Sequence, residues 1–211
     1  DIRREIEKFT VREEKLGNNT LLYVPAATNK IAYLNWYFDI TGVDAKLLPY
    51  CYLLTDILGK FNTKRYTYEE IATNSIMYTG GIAFNVRALS DTNNADDYKI
   101  CFSLKAKVLM ENLTKLFDIL QAVALESDLT DVKRFQELVG EVKTDWDSSF
   151  FNRGQAVAIS RLYAYCSAAA RVNEQDQFTY YQFLKDLADN FAEKGAAALE
   201  VLRGLLGQFF Q

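Results

Sequence analysis

The sequence contains no histidine. Ser-His and Cys-His nucleophile pairs therefore cannot form, nor can the usual catalytic zinc sets that use imidazole, so this segment is not expected to run hydrolysis alone. Cysteine is scarce, and Cys51, Cys101 and Cys166 are an odd number with wide spacings. They read as small buried hydrophobes in a reducing compartment rather than a disulfide framework or a metal set. No apolar run approaches the ~20 residues that a membrane helix requires, so no membrane contact is expected. Lys and Arg total 24 against 28 Asp and Glu, a net charge of −4 with no basic block; a phosphate-binding footprint would need clustered cations, and nucleic acid is not an expected partner. Residues 1–8 are charged, lack the apolar stretch of a signal peptide and read as the end of a linker. Because the chain starts at Asp1, it reads as a fragment whose targeting signals would lie upstream; a cytoplasmic or organellar setting fits. There is no low-complexity tract and no internal repeat.

What is present suffices for a substantial core: 49% of the residues are hydrophobic, consistent with one domain over 1–211. The organising stretch runs from Thr28 to Gly81. Ile31 to Ile40 alternates, with Ile31, Tyr33, Asn35, Tyr37 and Asp39 on one side and Ala32, Leu34, Trp36, Phe38 and Ile40 on the other. That pattern is a strand with one wholly apolar face. Leu47, Leu48, Cys51, Leu54, Ile57 and Leu58 recur at helical spacing, so this helix is expected to pack on that apolar face and to end at Gly59. Thr67 with Glu70 three residues later is a capping-box signature for a second helix, Tyr68 to Tyr78, with Gly80-Gly81 as its stop.

Upstream, Phe9 to Leu16 and Leu21 to Val24 read as short strands around the turn Gly17-Asn18-Asn19, and Pro25 confines the second to an edge. Downstream, residues 81–89 and 97–108 alternate and are joined by a polar run, which is hairpin-like. In the second, Tyr98, Ile100, Phe102, Leu104 and Ala106 oppose Lys99, Ser103, Lys105 and Lys107, so the sheet is expected to be apolar on one face only, the other open to water or another domain. From Met110 onward the periodicity is helical: 112–125, 130–148, 156–170 and 179–210, with a break at Arg153-Gly154 and Gly195 as the candidate point for a bend or split in the last. The order of elements predicts an α+β fold, a mainly antiparallel sheet with helices packed on one face.

Polar constellations are few. Glu69-Glu70 and Asp96-Asp97 are sequence neighbours that point apart, so they read as solvated or capping groups. Gly80-Gly81 lacks the Lys-Ser/Thr of a phosphate loop and precedes a strand, and reads as a helix cap. Tyr33 and Tyr37 lie opposite Trp36 and Phe38; they read as packing or interdomain residues or, if that face lines a chamber, as contacts to unfolded peptide. Arg153 reads as an interhelical turn residue, with a substrate or interface charge as the alternative.

Several segments together resemble the insulinase-like (pitrilysin) metallopeptidases, in the branch typified by the presequence protease. They are the TN-I-Y strand ending in Phe38-Asp39, LLPY, the LL-x-x-x-LG helix, Tyr68-x-Glu70, YTGGI from Tyr78 to Ile82, SRLYAYCSAAARVNEQ and YYQFLKDL. The resemblance implies one of four related α+β domains, of which only the first carries the zinc motif His-x-x-Glu-His; this chain looks like the third. Laying the zinc helix over residues 50–59 puts Tyr50, Leu53 and Leu54 where the first His, the Glu and the second His would stand, so all three roles are vacant. The resemblance thus implies a non-catalytic domain with no cofactor of its own, in a parent whose zinc sits in another domain and which degrades short unstructured peptides in a closed chamber. Its partners would be the other domains of the same polypeptide and the peptide. The alternative is an inactive scaffold subunit like those of processing peptidase or of the respiratory cytochrome complex core. A free-standing enzyme using carboxylates or Cys51 is the third reading, and the absence of histidine weighs against it.

Overall fold

The computed structural model describes residues 10–91, 94 and 97–210, with the backbone alone at 150 and 151. The expected linker at 1–8, Phe9 and Asp96 lie outside these. Two antiparallel sheets form. The first is a hairpin of β1 (Arg12–Leu16) and β2 (Asn19–Tyr23), turned at Gly17 with φ 62°, and exposed along its whole length. The second joins β3 (Ile31–Asp39), β4 (Thr79–Ser90) and β5 (Tyr98–Leu109) in the order β3-β5-β4. With helices packed around these sheets, the protein is α+β.

The alternation read in β3 and β5 is the alternation observed. Phe102 at the centre of β5 has no exposed surface; its ring meets Phe38 of β3, Phe84 of β4, and Phe209 and Phe210 near the C-terminus. On the opposite face Cys101 and Ser103 are also buried. They are small residues on the central strand, flanked in register by Tyr37 and Asp39 on one side and Asn85 and Arg87 on the other, whose longer side chains cover them.

Helix α1 (Leu48–Ile57) follows β3 after a short 3-10 turn whose N-cap Asp44 accepts from Lys46 N–H. Its expected seat was the apolar face of β3; it lies instead against β4 and α8 (Phe191–Phe210). The physical reason is strand order. β3 is an edge strand, and its apolar face is met by Phe117, whose ring stands edge-on to Trp36 at 5.9 Å, and by Phe210, 5.0 Å from Phe38. Gly59, at φ 81°, ends the turn after α1 as expected. Helix α2 (Tyr68–Tyr78) carries the full capping box: Thr67 Oγ1 accepts from Glu70 N–H at 3.2 Å, and Glu70 Oε2 accepts from Thr67 N–H at 2.9 Å. Thr67→Ala is expected to cost about 1 kcal/mol in urea unfolding, as the loss of an N-cap side chain does elsewhere.

Gly80 and Gly81 do not cap α2. Thr79 ends it, its hydroxyl donating to Ser75 O, and the glycines form a bulge where the β4–β5 register shifts between Thr79 and Ile82. Gly81 takes φ 122°, and a Cβ on Gly80 would stand 3.2 Å from Lys107 Cβ. Helices α3 (Leu113–Glu126) and α4 (Val132–Asn152) match their expected spans within a few residues. The expected helix over 156–170 is two, α5 (Gly154–Tyr163) and α6 (Ala168–Glu174), because Ser167 caps the second by accepting from Ala170 N–H. The last expected helix also divides, into α7 (Tyr180–Asp189) and α8, but at Asn190 rather than Gly195. Gly195 lies inside α8 because the Phe191 ring packs on it; a Cβ there would stand 2.6 Å from that ring.

Candidate interaction surfaces and the vacant helix

Helix α1 is held by its own apolar residues, and that fixes what it can do. Leu53 and Leu54 have no exposed surface, and half-buried Tyr50 stands edge-on to Phe183 of α7 at 4.8 Å. A phenol and two alkyl chains offer no ligand set, so these positions do not fit a zinc ion. Among the described residues no three His, Cys, Asp or Glu side chains converge as a metal site. Cys51, on the same helix, is fully buried, and desolvation pushes its thiol up to about 12; it is an inert core residue. Cys101 is buried too, whereas Cys166 is exposed in the turn between α5 and α6, contrary to its expected burial, because that turn has no element above it.

Tyr33 and Tyr37 lie on the open face of the sheet, each 58% exposed, in register with Lys107 and Ser103 of β5. Asn35 pairs with Lys105, and Lys107 Nζ lies 6.0 Å from the Tyr33 ring centroid, a weak cation–π contact. At the far end of the face Asp39 accepts from Thr41 N–H and hydroxyl at 3.0 and 2.6 Å and pairs with Lys99 at 3.3 Å. The Thr41 hydrogen bonds, and then Lys99, hold the Asp39 carboxyl below its usual range.

Arg153 is not brought to that face. It is exposed at the N-terminus of α5, and its charge acts on Asp176 in the wide turn Gln175–Thr179 between α6 and α7. Asp176 belongs to a cluster that no local pattern announced. The buried Tyr180 hydroxyl donates to Asp56 Oδ2 of α1 at 2.7 Å, and Tyr52 donates to Val172 O at 3.0 Å. Burial, then the nearby Asp56 charge, push Asp176 up to about 7 against the pull of Arg153 and Arg87. Burial raises Asp56 as well, partly offset by the Tyr180 hydrogen bond. Asp56 and Tyr180 are 124 positions apart, so their meeting leaves no periodic signal. Next to this cluster, Asn173 of α6 accepts from Ala88 N–H at 2.8 Å and donates to Ala88 O at 3.2 Å, closing part of the outer edge of β4.

The structure thus defines an α+β unit whose zinc-helix equivalent is core, with an open polar sheet face beyond it. A family model matches residues 1–187, described as peptidase-associated, for subfamily C of the sixteenth metallopeptidase family, and the chain belongs to that family. It is 27% identical to protein HypA of Clostridium perfringens over 188 residues, covering 89% of this chain and 19% of that protein. It is 26% identical over 180 residues to presequence protease 1 of Arabidopsis thaliana, described as chloroplastic/mitochondrial, covering 83% of this chain and 17% of that one. With the mitochondrial presequence protease of Drosophila melanogaster identity is 24% over 148 residues, 69% of this chain and 13% of that protein. The chain spans less than a fifth of the length of these curated relatives. Among the described residues no helix is long and apolar enough to cross a membrane.

Proposed function

We propose that residues 1–211 are one non-catalytic domain of a larger zinc-dependent peptidase that degrades short unstructured peptides in a closed chamber. The observation that carries this reading is α1: in a peptidase-associated family, the positions of a zinc motif are filled by Tyr50, Leu53 and Leu54, packed as core. The zinc belongs to another domain of the parent, where it supplies Lewis-acid chemistry, and this domain contributes wall and interdomain contacts. The names of the relatives support a setting in an organelle or a bacterial cytoplasm. In the parent, Tyr33 and Tyr37 form part of the surface that an unfolded peptide meets, and Arg153 holds the α4–α5 junction beside Asp176.

The test is hydrolysis of a fluorogenic unstructured peptide by this chain, by the full-length gene product with zinc, and by that product with a chelator. Turnover confined to the zinc-loaded full-length product is expected. Chelator-insensitive turnover by the isolated chain would overturn the reading, and a full-length product inert under every condition would favour the scaffold alternative. In that product Tyr33→Ala with Tyr37→Ala is expected to raise KM about three- to tenfold with kcat little changed, the effect of losing one or two aromatic contacts. An unchanged KM would remove the two tyrosines from the peptide-contacting surface.

A further inference from the structure

The open face of the β3-β5-β4 sheet carries charge of the opposite sign to the chain as a whole. The chain has a net charge of −4, yet Lys99, Lys105 and Lys107 of β5 project from this face, and among the residues of its three strands that face it Asp39 is the lone carboxylate. Asp39 is already engaged by Thr41 and Lys99. The acidic residues of the hairpin tip, Asp91 and Asp97, stand at the end of the sheet away from Lys105 and Lys107. Arg87, at the β4 edge, adds to the positive side while its charge also acts on Asp176.

Geometry adds to charge. Cys101 and Ser103 form a low floor along the central strand, with Tyr37 rising beside Ser103 and Arg87 beside Cys101. Lys105 and Lys107 lie two residues apart on β5, a rise of about 7 Å in extended chain. An extended peptide laid along β5 presents every second side chain at that same interval, so alternate carboxylates fall over successive ammonium groups. Tyr33 holds Lys107 at one end through its ring face.

We propose that this face binds a carboxylate-rich unstructured peptide in extended form, along β5, with Lys105 and Lys107 as its charge anchors and Tyr33 and Tyr37 as its aromatic flank. A permanent domain interface is a poorer match, since lysine is depleted from such interfaces; solvated lysines around exposed tyrosines suit an occupant that exchanges. An Arg-rich, acid-poor segment of the mitochondrial-presequence type is repelled here. The inference deepens the wall reading and rests on it for its biological setting. Binding is measured on this chain alone, so it can fail while zinc-dependent hydrolysis by the full-length product holds, and the reverse.

The probe is a fluorescein-labelled twelve-residue peptide alternating Glu and Ala, with a Lys-Ala peptide as its opposite, titrated by fluorescence anisotropy. The Glu peptide is expected to bind and the Lys peptide not, and raising salt from about 20 to about 200 mM is expected to weaken binding severalfold. Lys105→Glu with Lys107→Glu is expected to weaken it at least tenfold, and Lys105→Gln with Lys107→Gln by less. Lys133→Glu, an exposed reversal on α4, is expected to leave it unchanged. Equal affinity for both peptides, no binding of the Glu peptide, or a Lys105/Lys107 reversal no more harmful than Lys133→Glu would each overturn the proposal. Because both lysines are exposed, the variants are expected to unfold at the wild-type urea midpoint; Tyr33→Ala with Tyr37→Ala supplies an uncharged second probe of the same face, expected to weaken binding severalfold.

Discussion

Restoring a zinc motif to α1, by Tyr50→His with Leu53→Glu and Leu54→His, is expected to unfold the protein and bind no zinc. Leu53 and Leu54 have no exposed surface and belong to the main core cluster. Truncating one such leucine costs about 2–5 kcal/mol, and the triple variant also forces a carboxylate and an imidazole into apolar surroundings, at several kcal/mol more without partners. The sum reaches or exceeds the roughly 5–15 kcal/mol that holds a whole domain together. Far-UV circular dichroism through a urea titration reads the fold, and competition with a chromophoric chelator reads the metal. Tyr50→His alone is expected to remain folded, since Tyr50 is half-buried and touches Phe183 from the core's margin. A triple variant that unfolds cooperatively at the wild-type midpoint and takes up zinc would mean that α1 is a disarmed site rather than a structural helix.

Asp176→Asn is expected to change how stability depends on pH, by about 4 kcal/mol between pH 4 and pH 8. Asp176 titrates near 3.8 when unfolded and at about 7 when folded. The folded state therefore binds the proton more tightly. Its contribution is fully present below the unfolded value and is lost as pH rises through about 7, and a difference of about three pKa units corresponds to about 4 kcal/mol. Asp56, also raised, acts in the same direction. Other carboxylates act in the opposite sense. Asp118, Asp147 and Asp186 are lowered chiefly by hydrogen bonds from Tyr66, Lys143 and Lys194, and they destabilise the fold as pH falls. Those groups are common to wild type and variant, so subtracting the two urea-derived stability curves isolates Asp176. The variant should gain relative to wild type as pH rises from 4 to 8. A flat difference curve would show that Asp176 is solvated in the folded protein.

Much of the fold is written locally. The alternation in residues 31–40 and 98–108 set both faces of the sheet, and Thr67 with Glu70 marked the start of α2, because strand faces and helix caps depend on residues a few positions apart. The vacancy of the motif at Tyr50, Leu53 and Leu54 was equally readable, since it depends only on side-chain identity. Where the two long helical stretches divide was not: Ser167 as a cap and Asn190 as a break compete with continuous periodicity, and Gly195 drew attention to a place where the glycine instead admits the Phe191 ring.

The sequence by itself determined the α+β class, the exclusion of imidazole chemistry, and which residues of β3 and β5 share a face, all of them consequences of composition and short-range period. Only the tertiary structure decided that β5 lies between β3 and β4, which gives Phe102 its four aromatic neighbours and sends α1 to β4 rather than β3. It alone brought Tyr180 to Asp56 and set Lys105 and Lys107 between the neighbouring strands on one open face. Strand order and helix docking follow from burying the most apolar area over the whole chain at once, and no window of neighbouring residues contains that sum.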